Sequence, residues 1–292
     1  MNQTNTDVYA QITNAIAAAI EEGAQRYEMP WHTLSTPVNA ISHKAYRGVN
    51  VLMLWAAAKQ RGYSAHEWAT YRQWQEAGAQ VRKGERSTTV VFWKFCDHSE
   101  EQQEDSDSTP NRPRCFARLY NVFNAGQVDG YTPADIPQLS PAERIENADR
   151  FFASLPGVVK HGGDRAYYSP AGDYIQMPPF AQFKSAAGYA STLGHEYAHW
   201  SGAPSRLNRD LSGRFGDERY SAEELVAELS AAFLCADLQI QSEPRVDHAP
   251  YVNSWLRLLG NDRRAIFTAA SKAQEAVGYL QQLAAAAQER AS

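Results

Sequence analysis

The sequence predicts an α+β protein with two domains, and three observations lead to this prediction. Runs of β-branched and aromatic residues in the first half, at 88–95 and 115–123, are typical of strands. A stretch with several prolines and little periodicity at 131–141 predicts a linker. Helical patterns follow it, and one of them carries two histidines four residues apart. We therefore expect an N-terminal α+β domain at 1–130 and a second domain at 142–292.

The first half begins with helical patterns. Apolar residues at helical spacing predict helices at 8–22 and 49–60, and Gly62 is suited to end the second helix. Ser64 and Thr70 are then expected to cap two short segments. These elements precede the first predicted strand.

The two predicted strands would form a hairpin with a long tip at 97–113. Six acidic residues fall between Asp97 and Asp107, and the tip contains no hydrophobic residue. Such a composition cannot bury apolar surface, so it predicts a flexible, solvated acidic loop. The alternative is that the acidic residues mimic the charge of DNA.

The second half begins with a well-marked helix. Ser140 is a suitable N-cap and Pro141 a suitable first residue for a helix that runs to about residue 155. Three short strands are expected next, at 158–159, 166–169 and 174–177. We expect the third to be an edge strand along a substrate cleft, where a peptide can add as another strand. The chain from Val252 onward is again helical.

A zinc-binding motif lies on one of the predicted helices. His195 and His199 are four residues apart and therefore lie on one face of the helix, where both imidazoles can bind one Zn²⁺. Glu196 lies between them and is the expected general base toward a zinc-bound water. The competing interpretation is a surface helix with two solvated histidines. Apolar neighbours such as Leu193 and Trp200 favour a buried helix instead.

The third zinc ligand is expected from a downstream helix. Ser221 with Glu224 three residues later has the pattern of a capping box, which predicts that this helix starts near residue 221. Glu224 and Glu228 share a face, and their E-x-x-A-E spacing resembles a pattern in several zincin families whose first Glu binds the metal. Glu224 is therefore the predicted ligand, and Glu228 is the alternative ligand or a partner of a ligating histidine. Glu224 as a capping carboxylate alone is the competing interpretation, and Glu223 is expected to be exposed.

Composition excludes several classes of protein. No apolar run is long enough for a transmembrane helix, and the polar N-terminus has no signal-peptide pattern, so no membrane partner is expected. The three cysteines are scattered and form no C-x-x-C motif, which excludes a zinc knuckle and a disulfide framework. We expect a cytoplasmic protein.

Positive charge is concentrated in the first half. The whole chain has a net charge of −5, but residues 26–95 contain ten Lys or Arg and four Glu, a balance near +6. Aromatic residues are interleaved with these charges, as in proteins that bind single-stranded nucleic acid. We predict base stacking at Tyr46 with Arg47, and phosphate contacts in a basic turn. The residues of that turn are Arg82, Lys83 and Arg86. The competing interpretation is that the tryptophans form a core.

Several motifs in the correct order resemble the ArdC-type antirestriction family. In the first half these are P-x-N-x6-Y-x-G-x-N from Pro37, W-x-T-Y-x-Q-W from Trp68, G-x-x-V-R-K-G-E from Gly78, and V-V-F-W-K. In the second half they are L-G-H-E-Y-A-H-W and Y-S-A-E-E-L-V-A-E-L. The resemblance implies an N-terminal domain that binds single-stranded DNA, followed by a zincin-like metallopeptidase domain.

The resemblance also implies a function. A plasmid-borne protein of this family would bind single-stranded DNA and protect incoming plasmid DNA from host restriction during conjugation. We expect a zinc metallopeptidase, with Zn²⁺ or another divalent transition metal and with a restriction enzyme or another protein as substrate. Two alternatives stay open. One is a non-catalytic protein that coats single-stranded DNA and contains a structural metal site. The other is a DNA mimic that acts through its acidic loop. For a peptidase, Tyr220 is the candidate that stabilises the transition state.

Overall fold

The computed structural model describes residues 3–24, 29–31, 35–95, 115–133, 139–211, 217–240 and 249–291. Its first half contains helices α1 (Gln3–Ala24), α2 (Val49–Arg61) and α3 (Tyr71–Glu76). The strands of this half are β1 (Val38–Asn39), β2 (Glu67–Thr70), β3 (Gln80–Val81), β4 (Thr88–Phe95), β5 (Cys115–Asn124) and β6 (Val128–Asp129). The predicted acidic loop at 97–113 lies outside the described residues, as do residues 134–138 of the predicted linker.

A four-stranded mixed sheet is the centre of the first half, in the order β1-β2-β5-β4. The predicted hairpin is confirmed, because β4 and β5 pair antiparallel from Thr88↔Val122 to Phe95↔Cys115. On the other side, β5 pairs with β2, and β2 pairs in parallel with β1. Strands β3 and β6 form a separate two-stranded ladder.

Local sequence explains most helix ends in this half. Gly62 adopts the left-handed conformation (φ 70°) and ends α2 as predicted. Thr70 caps α3 in a capping box with Gln73. The segment after Ser64 is the strand β2 rather than a capped turn. The reason is that Trp68 is fully buried in the core and pairs with Asn124 of β5.

The second half contains helices α4 (Pro141–Ala153), α5 (Ala186–Ser201), α6 (Glu218–Asp237), α7 (Ala249–Asn261) and α8 (Ala265–Ala291). Its strands are β7 (Val158–His161), β8 (Tyr167–Ser169) and β9 (Tyr174–Met177). Helix α4 begins as predicted, with Ser140 in a capping box with Glu143. Among the described residues, no helix combines the length and the apolar character needed to cross a bilayer.

Two expectations about this half are wrong. Helix α6 begins at Glu218 rather than near Ser221, because Asp217 caps it by accepting a hydrogen bond from the Tyr220 amide at 2.8 Å. Ser221 lies inside the helix, and its hydroxyl donates to the Asp217 carbonyl. Strand β9 is not an edge strand, because it lies between β7 and β8 in a three-stranded sheet. A peptide therefore has no free edge of β9 to pair with.

The two halves share one hydrophobic core. Buried side chains of α1, α2 and β4 belong to the same cluster as those of α5, α6, α7 and α8. The ring of Trp31 lies 6.2 Å from that of Trp255, and the ring of Trp55 lies 5.7 Å from that of Phe233. The boundary predicted at 131–141 therefore does not separate two independent cores.

Candidate metal centre and nucleic-acid surface

Helix α5 presents the two histidines of the motif. The hydroxyl of Ser185 caps the helix by accepting a hydrogen bond from the Gly188 amide at 2.9 Å. The helix then runs without interruption, so that His195 and His199 lie one turn apart with their Nε2 atoms 3.1 Å from each other. His195 is almost completely buried, and the His199 side chain is 14% exposed. Both rings therefore point at one small, largely buried volume.

Glu224 completes a three-residue cluster from the neighbouring helix α6. Its carboxylate oxygens lie 3.5 Å from His195 Nε2 and 3.4 Å from His199 Nε2. These three residues offer ligand atoms that all lie within 4.8 Å of one another. For metal–ligand bonds near 2.0–2.1 Å, a tetrahedral site needs donor atoms about 3.3 Å apart. The observed separations match this requirement, so the donor set fits a zinc-sized cation.

The electrostatics of the cluster favour positive charge at its centre. Burial raises the pKa of the Glu224 carboxyl, but hydrogen bonds with His195 and His199 outweigh burial and hold that pKa well below its usual range. Burial lowers the pKa of the His199 imidazole, whereas its hydrogen bonds with Glu223 and Glu224 raise that pKa to about 10. An ionised carboxylate at this place is ready to bind a cation.

Glu223 orients His199, which corrects the expectation that Glu223 is exposed. Its carboxylate lies 3.2 Å from His199 Nδ1. Arg209 holds the same carboxylate with two hydrogen bonds, of 2.8 and 3.1 Å, and its own side chain is 5% exposed. Because an ionised carboxylate only accepts hydrogen bonds, the proton lies on Nδ1 and Nε2 faces the cluster.

Glu228 occupies the corresponding place beside His195. One carboxylate oxygen lies 3.7 Å from His195 Nδ1. The other accepts a hydrogen bond of 3.0 Å from the indole N–H of Trp31. The structure thus brings Glu224 to the Nε2 atoms of both histidines and Glu228 to the Nδ1 atom of one.

Glu196 and Tyr220 are the remaining candidates for chemistry. Glu196 lies between the two histidines on α5 and is 3% exposed. The Tyr220 hydroxyl is half-buried and lies 3.0 Å from the Tyr251 hydroxyl. The pKa of the Tyr220 phenol is raised, mainly by burial and further by the hydrogen bond with Tyr251. The Tyr220 phenol therefore keeps its proton.

The residues predicted to bind nucleic acid divide into exposed and buried ones. Arg47, Lys83 and Arg86 are exposed. The exposed Arg82 guanidinium bonds within the protein, with Glu85 at 2.9 Å and the Gly126 carbonyl at 2.5 Å.

The burial of Tyr46 argues against its predicted stacking on a base. Its ring is only 7% exposed, and its hydroxyl accepts a 3.4 Å hydrogen bond from Asn39. The Asn39 side chain also accepts hydrogen bonds from Ile41 and Ser42. Asn39 and Tyr46 therefore stabilise the fold through internal contacts. Of the predicted pair Tyr46 and Arg47, only Arg47 is accessible to a ligand.

The tryptophans of the first half are largely core residues. Trp31, Trp55, Trp68 and Trp74 are each at most 4% exposed. Their burial supports the competing interpretation, in which these tryptophans form a core rather than stack on bases.

An exposed aromatic cluster on the hairpin is missing from the sequence predictions. Phe92 is 48% exposed, and its ring lies 5.4 Å from that of Tyr120. The guanidinium of Arg118 lies 5.2 Å from the same tyrosine ring, and Arg118 is the register partner of Phe92. Strand alternation places these three residues on one face, but only the β4–β5 register reveals that they meet.

Comparisons with known proteins agree with this architecture. A model of the N-terminal domain of the anti-restriction factor ArdC matches residues 6–123, and a model of a zincin-like metallopeptidase matches residues 146–272. The metal-free crystal structure of the antirestriction ArdC protein from plasmid R388 is similar, with a TM-score of 0.77 and 41% identity. That match covers 96% of this chain and 98% of the R388 chain. The chain belongs to the ArdC antirestriction family.

Other members and relatives of the ArdC family extend this result. The Mn(II)-bound structure of the R388 protein matches with a TM-score of 0.75 and 42% identity, over 95% of this chain and 98% of that one. The uncharacterized protein y4eC of Sinorhizobium fredii is 55% identical over 95% of this chain and 92% of its own length. DNA primase TraC of Escherichia coli is 35% identical over 94% of this chain, which spans 27% of the primase.

The family match confirms the predicted two-domain α+β architecture, with an ArdC N-terminal domain and a zincin-like domain. The zincin-like match contains His195, Glu196, His199 and Glu224. The ArdC N-terminal match contains the exposed basic residues and the aromatic cluster of the hairpin. Trp31 belongs to the N-terminal match and yet contacts Glu228 of the zincin-like match. A residue of the N-terminal match therefore contacts the surroundings of the candidate metal centre.

Proposed function

We propose that this ArdC-family chain binds single-stranded DNA and protects incoming plasmid DNA from host restriction, and that its second domain is a zinc metallopeptidase. Family membership supports the antirestriction role. The name of TraC, a DNA primase that is similar over nearly the whole chain, supports a DNA partner. The observation that carries the peptidase part is the convergence of His195, His199 and Glu224.

Zinc is the proposed metal, held by His195, His199 and Glu224. Two imidazoles and one carboxylate are a frequent ligand set of catalytic zinc, and three protein ligands leave a position for water or substrate. Binding of the metal would displace the proton that the raised pKa places on His199. The R388 protein has a Mn(II)-bound crystal structure, so the proposal includes other divalent transition metals. When bound, such a cation lowers the pKa of a water molecule and polarises a peptide carbonyl.

Glu196 is the proposed general base and then the general acid. It takes a proton from the water whose oxygen attacks the peptide carbonyl carbon, and it returns this proton to the amine nitrogen as the C–N bond breaks. Its place between the two histidines on a buried helix supports this role. Tyr220, whose phenol keeps its proton, is the proposed hydrogen-bond donor to the carbonyl oxygen in the transition state.

Single-stranded DNA is proposed to lie across the first domain. Exposed Arg47, Lys83 and Arg86 are the proposed phosphate contacts, with Arg82 in the same turn. Phe92 offers an exposed ring for base stacking beside the partly buried ring of Tyr120, and Arg118 adds a cation next to them. These features support binding that is insensitive to base sequence, because each base has a face that can stack.

Substitution of Phe92 tests this surface directly. Loss of one stacking ring costs about 1–3 kcal/mol, so Phe92→Ala should weaken the binding of a fluorescent single-stranded oligonucleotide about 5- to 150-fold. Leu119→Ala is the matched control, because Leu119 is 41% exposed on the opposite face of the same hairpin. Equal affinities of the two variants would show that DNA does not use this face.

A plasmid-protection assay tests the function as a whole. It compares the wild type with Glu196→Ala and with the double variant Lys83→Ala/Arg86→Ala, and both variants should lose protection. If Glu196→Ala protects fully while the double variant does not, the alternative of a DNA-coating protein with a structural metal is correct. Full protection by both variants would contradict both functions. Deletion of residues 99–109 tests the DNA-mimic alternative, and we expect it to leave protection intact.

A further inference from the structure

We infer that Trp31 of the first domain is a positioning residue for the metal centre in the second domain. Its indole N–H fixes the Glu228 carboxylate, which in turn orients the His195 imidazole. This inference rests on the proposed metal site, and it adds that a complete site requires the first domain. It makes metal affinity a property of the whole chain.

Two buried contacts lead from Trp31 to His195 through Glu228, the first a hydrogen bond and the second a longer approach of opposite polar groups. The Trp31 indole N–H donates to Glu228 Oε1 at 3.0 Å, and Glu228 Oε2 lies 3.7 Å from His195 Nδ1. Trp31 is fully buried, and Glu228 and His195 are each 3% exposed. A buried carboxylate requires hydrogen-bond donors, and the indole of tryptophan is a donor only. Trp31 therefore holds one Glu228 oxygen by donating to it, and the other oxygen faces His195 Nδ1.

The carboxylates beside the two histidines are held by residues of different domains. Glu223, beside His199, is held by Arg209, and both of these residues lie in the second domain. Glu228, beside His195, is held by a residue that precedes it by 197 positions. Partners that orient a ligating histidine typically change metal affinity by 10- to 100-fold. The first domain thus supplies a hydrogen bond to one of the two carboxylates that lie beside the histidines.

A second contact links Trp31 to the other side of the site. The Trp31 ring packs against Trp255, and Trp255 stacks on Tyr251 with centroids 6.2 Å apart and planes at 20°. The Tyr251 hydroxyl pairs with that of Tyr220 at 3.0 Å. A displacement of Trp31 would therefore reach both the His195 ligand and the Tyr220 phenol.

Trp31→Phe tests the inference, with Trp55→Phe as the matched control. Both substitutions replace a buried indole in the shared core and remove one N–H hydrogen bond, but the Trp55 indole donates to the Ser35 carbonyl, away from the metal site. The full-length apo protein is titrated with Zn²⁺ against a chromophoric chelator, and the visible spectrum of the Co²⁺-loaded protein is recorded. Trp31→Phe should weaken Zn²⁺ binding at least 10-fold and alter the Co²⁺ bands. Trp55→Phe should bind Zn²⁺ within 2-fold of wild type.

The possible outcomes separate this inference from the proposed function. Wild-type Zn²⁺ affinity and Co²⁺ bands in Trp31→Phe would overturn the inference and leave the metal site intact. A wild type that binds no Zn²⁺ would overturn the metal site and the inference together. If Trp31→Phe does not fold, Glu228→Gln tests the same link from its other end. It should also weaken Zn²⁺ binding at least 10-fold, and an unchanged affinity would overturn the inference.

Discussion

At the scale of single residues, the buried Arg209–Glu223 pair decides how His199 is presented. Arg209→Gln would leave the Glu223 carboxylate without its strongest partner in a buried place. Removal of one member of a buried ion pair typically costs about 3–5 kcal/mol, so the melting temperature of the apo protein should fall by about 6 °C or more. Arg219→Gln is the control, because Arg219 is 73% exposed and its ion pair with Asp210 is 3.7 Å long. Equal melting temperatures of the two variants would contradict the role of Arg209.

The sequence could not predict these residue contacts, and the reason is physical. The H-E-x-x-H spacing fixes the relation of His195 to His199, because one helix determines both positions. Glu223 looks like a surface residue beside Glu224, and only the approach of Arg209 from the chain after α5 makes its burial favourable. The contact of Trp31 with Glu228 spans 197 positions and leaves no periodic signal. The sequence also could not predict the burial of Tyr46, because aromatic rings are equally suited to a core and to base stacking.

At the scale of elements, the start of α6 can be tested by two substitutions. Asp217→Ala removes the side chain that accepts from the Tyr220 amide, and loss of such a cap typically costs about 1 kcal/mol. The expected fall in melting temperature is about 2–4 °C. Ser221→Ala, at the cap predicted from sequence, should change the melting temperature less, because Ser221 lies inside the helix. A larger effect of Ser221→Ala would mean that the helix begins at the later position.

Elements with strong local signals were predictable, and the order of strands that are not joined as a hairpin was not. The β4–β5 hairpin, α2 with its Gly62 end, and α4 with its Ser140 cap were all predicted. The position of β9 in its sheet was not, because the order of strands depends on how β7 and β8 approach from elsewhere in the chain. The helix start at Asp217 was missed because Ser221 offered an equally good pattern one turn later.

At the scale of the whole molecule, the shared core predicts cooperative unfolding. Buried residues of both domains form one continuous cluster, so neither domain can lose its packing without exposing the other. Calorimetry of the full-length apo protein should therefore show a single transition whose calorimetric and van't Hoff enthalpies agree. Two separated transitions would instead mean that the two domains are independently stable.

The most direct test of the account is the metal stoichiometry of purified variants, measured by Zn²⁺ titration. The wild type should bind one tightly held ion per chain. A metal concentration 100 times the dissociation constant should stabilise it by about 2.7 kcal/mol, or about 5 °C in melting temperature. His195→Ala and Glu224→Ala should lose this ion, whereas Glu228→Ala should retain a weaker site. Tight binding of one ion by Glu224→Ala, or no binding by the wild type, would contradict the assignment of His195, His199 and Glu224 as the metal centre.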